Sequence, residues 1–143
     1  IELYRSEQPK ARDLGDLRNM GIKSLLNLRK HHSDKSYFKA NEFAMYEASL
    51  DASKISEEQI VQIVRIIHQA PKPLLIHCWH GSDRTGLVVA VCRMVFEGWH
   101  PEAAVDELEH GGYGYHASFY PNIARQVRTL DVRRIRKLAG IAP

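Results

Sequence analysis

Residues 77–86 read HCWHGSDRTG and follow the apolar run PLLI directly. Their types and order suit nucleophilic attack on an anion. Cys78, one of only two cysteines in the chain, is separated from Arg84 by five residues. An apolar strand, a short polar loop and then an apolar helix make an anion cradle, because N–H groups at a helix N-terminus are unpaired and carry partial positive charge. A tightly curled loop there aims several N–H groups at one phosphate. The residues Trp79, His80, Gly81, Ser82, Asp83 and Arg84 are the expected phosphate-binding set. Gly81 lets the backbone turn, and Arg84 forks two hydrogen bonds onto one phosphoryl group.

Cys78 is expected at the base of this ring, where the same N–H groups favour its thiolate, the nucleophilic form. Thr85 has a hydroxyl placed to hydrogen-bond the sulfur and help it leave. His77 is expected to brace the loop through the backbone behind Cys78. An activated nucleophile with an anion clamp is the equipment of covalent phosphoryl transfer.

These ten residues need a strand and a helix to hold them, and the rest of the chain supplies both. Glu2 to Arg5 reads as a strand ended near Pro9. KARDLGDLRNMG reads as a helix stopped by Gly21, and IKSLLNLR as a second strand. A short helix in SYFKANEF, a strand around AMYEASL, a loop LDASK and a helix opened by Ser56 follow. LLIH is the buried strand before Cys78, and the residues after Arg84 form an apolar helix. Pro101 opens another helix, HGGYGYH is a glycine-rich connection, and SFYPNIARQVRTLDVRRIRKLAG reads as one helical, basic end. The expected fold is one α/β domain over residues 1–143, with a central, mostly parallel sheet of about four to five strands flanked by helices.

Composition narrows the function classes. A net charge of +3 suits an anionic substrate but lacks the basic, aromatic-interleaved footprint of nucleic-acid binding. LVVAVCRMVF is too short to span a bilayer, so no stable membrane insertion is expected. His77, Cys78 and His80 are too crowded for a zinc site and no second Cys/His group accompanies them; no metal is expected. His31 and His32 read as a solvated pair. Cys92 lies about 12 Å along the helix, too far to pair with Cys78, and is read as a core residue.

HCWHGSDRTG resembles the signature H-C-x5-R-[ST]-G of the cysteine-dependent protein tyrosine and dual-specificity phosphatases. LYRSEQP, GIKSLLNLR, GLVVAVCRMVFEGW and GGYG extend the resemblance, from about Leu3 to Gly114, to small secreted bacterial dual-specificity phosphatases of the TpbA type. The resemblance implies a metal-independent phosphatase without cofactors. It would act on phosphorylated protein, mainly phosphotyrosine with phosphoserine/threonine in reach, through a phosphocysteine on Cys78. Arg84 is then the clamp and Thr85 the hydroxyl assisting breakdown. Asp51, in the loop LDASK upstream of Cys78, is the expected general acid. Asp83 is its rival, and Asp34 a weaker third candidate.

The loop offers Trp79, His80, Ser82 and Asp83 where inositol-phosphate members place Lys or Arg. That favours phosphotyrosine, unless Arg29 or Lys30 reach the site. The alternatives are an inositol phosphate or phosphoinositide phosphatase, and a non-catalytic phospho-binding module; arsenate reduction lacks companion cysteines. Tyr113 and Tyr115 either rim the pocket or pack their own loop. The resemblance also implies a periplasmic or secreted location, with a signal peptide absent from this chain, against a cytoplasmic alternative. A monomer is the expectation.

Overall fold

The computed structural model describes residues 2–142. Four strands, β1 (Leu3–Ser6), β2 (Ser24–Asn27), β3 (Ala44–Glu47) and β4 (Leu74–His77), form one sheet in the order β1-β4-β2-β3, all parallel. β2 and β4 read SLLN and LLIH and are buried throughout, as expected of parallel strands covered on both faces. Alternation still decides which face each side chain joins. Leu25 and Leu75 enter a small core on one face, with Leu17 of helix α1 (Leu14–Asn19). Leu26, Leu74 and Ile76 enter the large core on the other.

The large core is built around α3 (Asp83–Glu97), nine of whose residues are buried. It packs among α2 (Glu57–Gln69), α4 (Pro101–His110), α5 (Pro121–Thr129) and α6 (Val132–Leu138). A helix apolar on nearly every side must be surrounded. α2 begins as its sequence indicates: Gln59 N–H donates to Ser56 Oγ at 3.2 Å and Ser56 N–H to Gln59 Oε1 at 2.9 Å. Pro101 opens α4 at its first turn. Among the described residues no helix is long and apolar enough to cross a membrane.

Two expectations are corrected. The helix expected in SYFKANEF is only a 3-10 turn over Asp34–Ser36 followed by irregular turns. Its two phenylalanines, Phe38 and Phe43, are both buried in the small core, edge to face at 5.3 Å. A continuous helix would point residues five apart in directions differing by about 140°, so the segment turns instead. The single terminal helix is in fact two. Leu130 leaves helical geometry and Asp131 starts α6 afresh, accepting from Arg134 N–H at 3.1 Å.

β4 is central, and its last residue is in register with the last residues of both neighbours, Ser6 and Asn27. Chains leaving these three carboxyl ends must diverge, opening a crevice there. Ile76, one residue before that edge, is fully buried and pairs with Arg5 and Leu26 of the two neighbours. Ile76→Ala is expected to lower the unfolding free energy by about 2–5 kcal/mol, measured by urea denaturation.

Candidate active site

The chain from His77 to Asp83 curls over the crevice. Gly81 has φ +76°, and a Cβ there would lie 2.6 Å from the Ser6 carbonyl oxygen and 2.9 Å from Glu7 N. Only glycine meets both conditions. The end of β1 then grips the loop's carbonyls from outside. Arg5 Nη2 donates to Gly81 O at 2.8 Å, and Gln8 N–H donates to Trp79 O at 3.1 Å. The N–H groups of Trp79, His80, Gly81 and Ser82, by contrast, donate to no backbone carbonyl among the described residues. Carbonyls tied outward and N–H groups left unpaired at the start of α3 make an anion nest.

Cys78 lies at the floor, buried, and Thr85 Oγ1 donates to its Sγ at 3.1 Å. His77 is fully buried behind it, with Nδ1 3.3 Å from Cys78 O and Nε2 2.7 Å from Asp34 Oδ2. The chain of contacts continues: Gln8 Nε2 donates to Asp34 Oδ1 at 2.9 Å, and Arg29 Nη1 donates to Gln8 Oε1 at 2.9 Å. Arg29 in turn lies 4.2 Å from the Trp79 ring centroid, a cation-π distance. A buried polar network satisfied at each step holds one geometry, since leaving any member unpaired is costly.

Asp34 is therefore corrected as an acid candidate. Within the polar HHSDK run Asp34 alone is buried, 1% exposed, and both its oxygens are engaged behind the loop. Arg29 is likewise part of the support. His31 and His32 are exposed as expected.

In front of Cys78 is a cavity of about 400 Å³ whose lining includes Arg84, Asp51, Lys30, Trp79 and Tyr120. Arg84 Nη1 reaches the carbonyls of Leu28 and Leu50 at 3.4 and 3.5 Å. Bonds this long are weak and leave the guanidinium available to a ligand. Asp51 stands in the loop after β3. Its Oδ1 accepts from the Ser53 hydroxyl at 2.6 Å and the Ser53 N–H at 3.0 Å, and Lys30 Nζ donates to Oδ2 at 3.2 Å. The Ser53 bonds, then Lys30, hold its pKa down to about 2. Asp83, the first residue of α3, has both oxygens on His116. Cys92 is buried in the core, which pushes its thiol up to about 12, and both cysteines are free.

Of the two tyrosines, Tyr115 packs its own loop. Its OH donates to Tyr120 O and accepts from Ala124 N–H. Tyr113 stacks on Arg5, 3.8 Å from guanidinium carbon to ring centroid. Burial disfavours the Arg5 cation, while Tyr113, Glu107 and Cys78 oppose that effect. The site residues missed by sequence reasoning are Arg5, Gln8, His116 and Tyr120. An arginine in a four-residue strand was the one available signal for the first.

A parallel sheet thus delivers a cysteine from its central strand into an anion nest at a helix N-terminus, with an arginine in the cavity lining. The chain belongs to the Tyrosine phosphatase family, whose model matches residues 1–113. It is 31% identical over 114 residues to the dual specificity protein phosphatase TpbA of Pseudomonas aeruginosa, covering 78% of this chain and 52% of that protein. It is 27% identical over 117 residues to the inositol diphosphatase DSP2 of Oryza sativa, covering 76% and 57%. The chain thus spans about half the length of the curated relatives it matches. The crystal structure of P. aeruginosa TpbA superposes with a TM-score of 0.83 at 27% identity, covering 96% of this chain and 86% of that one. The catalytic core of the S. cerevisiae PP-IP phosphatase Siw14 shares the fold, with a TM-score of 0.80 at 20% identity and coverage of 100% and 91%.

The depressed Asp51 pKa has a signed consequence. A carboxyl held lower in the folded state than its unfolded value of about 3.9 stabilises the fold above that value, and the contribution fades as pH falls through about 2. Carbonyl NMR should show Asp51 titrating near 2 in the free protein, and higher in Ser53→Ala.

Proposed function

We propose that the chain hydrolyses phosphate monoesters of protein tyrosine through a phosphocysteine, without metal or cofactor. The observation that carries this reading is the Thr85 hydroxyl on Cys78 Sγ at 3.1 Å, beneath a run of unpaired N–H groups. The Cys78 thiolate attacks phosphorus, and the P–O bond to the leaving group breaks. Asp51 gives that oxygen its proton. Water then attacks the phosphocysteine and yields its proton to the Asp51 carboxylate, and the P–S bond breaks. Thr85 stabilises the departing thiolate by donating to it, and Arg84 with the loop N–H groups binds the phosphoryl oxygens throughout.

Asp51 is a carboxylate in the free protein, so its proton must be supplied on binding. A phosphate ester losing its second proton near pH 6 carries that proton in as the monoanion. The same net charge is reached whether the proton rides on the phosphate or on Asp51. Binding also brings negative charge toward Asp51, which raises its affinity for the proton. On this reading kcat/KM falls as pH rises above about 6.

The resemblance to secreted bacterial phosphatases supports a periplasmic location, which cell fractionation tests. A second reading, an inositol phosphate substrate, is favoured by Lys30 on the cavity wall. It adds a second cation beside Arg84. The relatives named as inositol and PP-IP phosphatases support the same reading.

Phosphate release from a phosphotyrosine peptide, a phosphothreonine peptide and an inositol polyphosphate, all with EDTA, separates these readings. The expected result is turnover of the tyrosine peptide, abolished in Cys78→Ser and lowered about 10²–10⁴-fold in Asp51→Asn. Preference for the inositol polyphosphate, lost in Lys30→Ala, would favour the second reading. Peptide binding without turnover of any substrate would leave a binding module.

A further inference from the structure

Asp83 is a carboxylate on the wall of a cavity built for an anion, and a like charge there opposes binding. His116, 33 residues away, donates its backbone N–H to Asp83 Oδ1 at 2.8 Å, and its Nδ1 meets Oδ2 at 2.8 Å. An acid at Asp83 would carry its proton on an oxygen already engaged by His116.

The contact has a further reach. The carbonyl of His116 accepts from Phe119 N–H at 3.1 Å and from Tyr120 N–H at 2.9 Å. Tyr120 ends this turn, precedes Pro121 at the start of α5 and lines the cavity in front of Cys78. An unbroken line of bonds therefore runs from the first residue of α3 through His116 to Tyr120, a second residue of the cavity lining. The segment 111–120 contains no fully buried residue, though Tyr115 and Tyr120 pack partly against the large core. Tyr113 on Arg5, the Tyr115 hydroxyl between Tyr120 and Ala124, and His116 on Asp83 add to that packing in holding it.

We propose that Asp83 is a positioning residue. Through His116 it sets the Tyr120 wall against the group that carries the phosphate, and so governs substrate affinity while the chemistry stays with Cys78. This rests on the phosphotyrosine reading above for its choice of ligand.

The test is a double-mutant cycle of Asp83→Asn and His116→Ala, read two ways on the full chain. The first is equilibrium binding of a phosphotyrosine peptide to each variant in a Cys78→Ser background. The second is the split of KM and kcat in the Cys78 enzyme. His116→Ala is expected to weaken peptide binding roughly five- to tenfold, as loss of one charge-assisted contact does. The kcat should change less than about twofold by the same reasoning, since no group touching the reacting atoms is altered.

His116→Asn, which keeps the backbone N–H and restores a side-chain donor, should recover most of the affinity. The double variant should bind no worse than the weaker single, because both remove one interaction. Tyr120→Ala should weaken binding by a similar factor and show no added loss with His116→Ala. Wild-type affinity in His116→Ala, or additive losses in the cycle, would overturn the proposal. So would a kcat lowered a hundredfold or more in Asp83→Asn but intact in His116→Ala, which would make Asp83 the acid. Because the binding arm needs no turnover, a failure of catalysis would count against the proposed hydrolysis and leave this inference standing or falling on affinity alone.

Discussion

Everything in the site depends on which way the peptide groups of residues 78–82 face. A loop of this length has N–H and C=O groups in equal number, and it binds an anion only if the carbonyls are kept away from it. Here the carbonyls of Trp79 and Gly81 are taken by Gln8 N–H and Arg5. Gly81 makes that arrangement possible by adopting a positive φ where its missing Cβ leaves room for the Ser6 carbonyl. Without the outward ties the loop would present a mixture of donors and acceptors. With them it presents donors, and the helix dipole behind adds to the same sign.

The supports are arranged at increasing distance from the sulfur. Thr85 touches it, His77 and Asp34 lie behind its peptide, and Gln8 with Arg29 connects that pair to Trp79 on the rim. Several of these groups are charged or polar and buried, and each has a partner. The arrangement favours rigidity over apolar packing, which suits a site that holds an anion in one orientation. Asp51 stands outside it. Its side chain is held instead by Ser53 and by an exposed Lys30.

Local patterns in the sequence were enough for the fold class, four strands and the apolar helix after the loop. Each is announced by an apolar run or a cap within a few residues, as in Ser56 with Gln59. The cysteine-to-arginine spacing was legible for the same reason, since strand, loop and helix are contiguous. Long-range partners were not. Nothing near Asp34 marks it as the partner of His77, and a polar HHSDK run reads as solvent-facing unless the sheet edge above it is known. His116 reads as part of a glycine-rich connection, because its side-chain partner is a carboxylate distant in sequence. The terminal helix was read as continuous because Leu130 and Asp131 are weak breakers. Asp131 acts as a cap only once the chain has to turn over α3.

The contact from Arg5 to Gly81 joins residues 76 positions apart. The loop containing Cys78 and Arg84 is short, but its conformation is completed from the far end of the chain. Closing such a long stretch costs entropy before any contact repays it, and parallel pairings of this kind form slowly. Anion affinity therefore reports on assembly history: a chain whose first strand has not yet docked beside β4 possesses every site residue and still has no site. In a growing polypeptide or a partly refolded one, the reactive sulfur thus stays without its cradle until the sheet is complete.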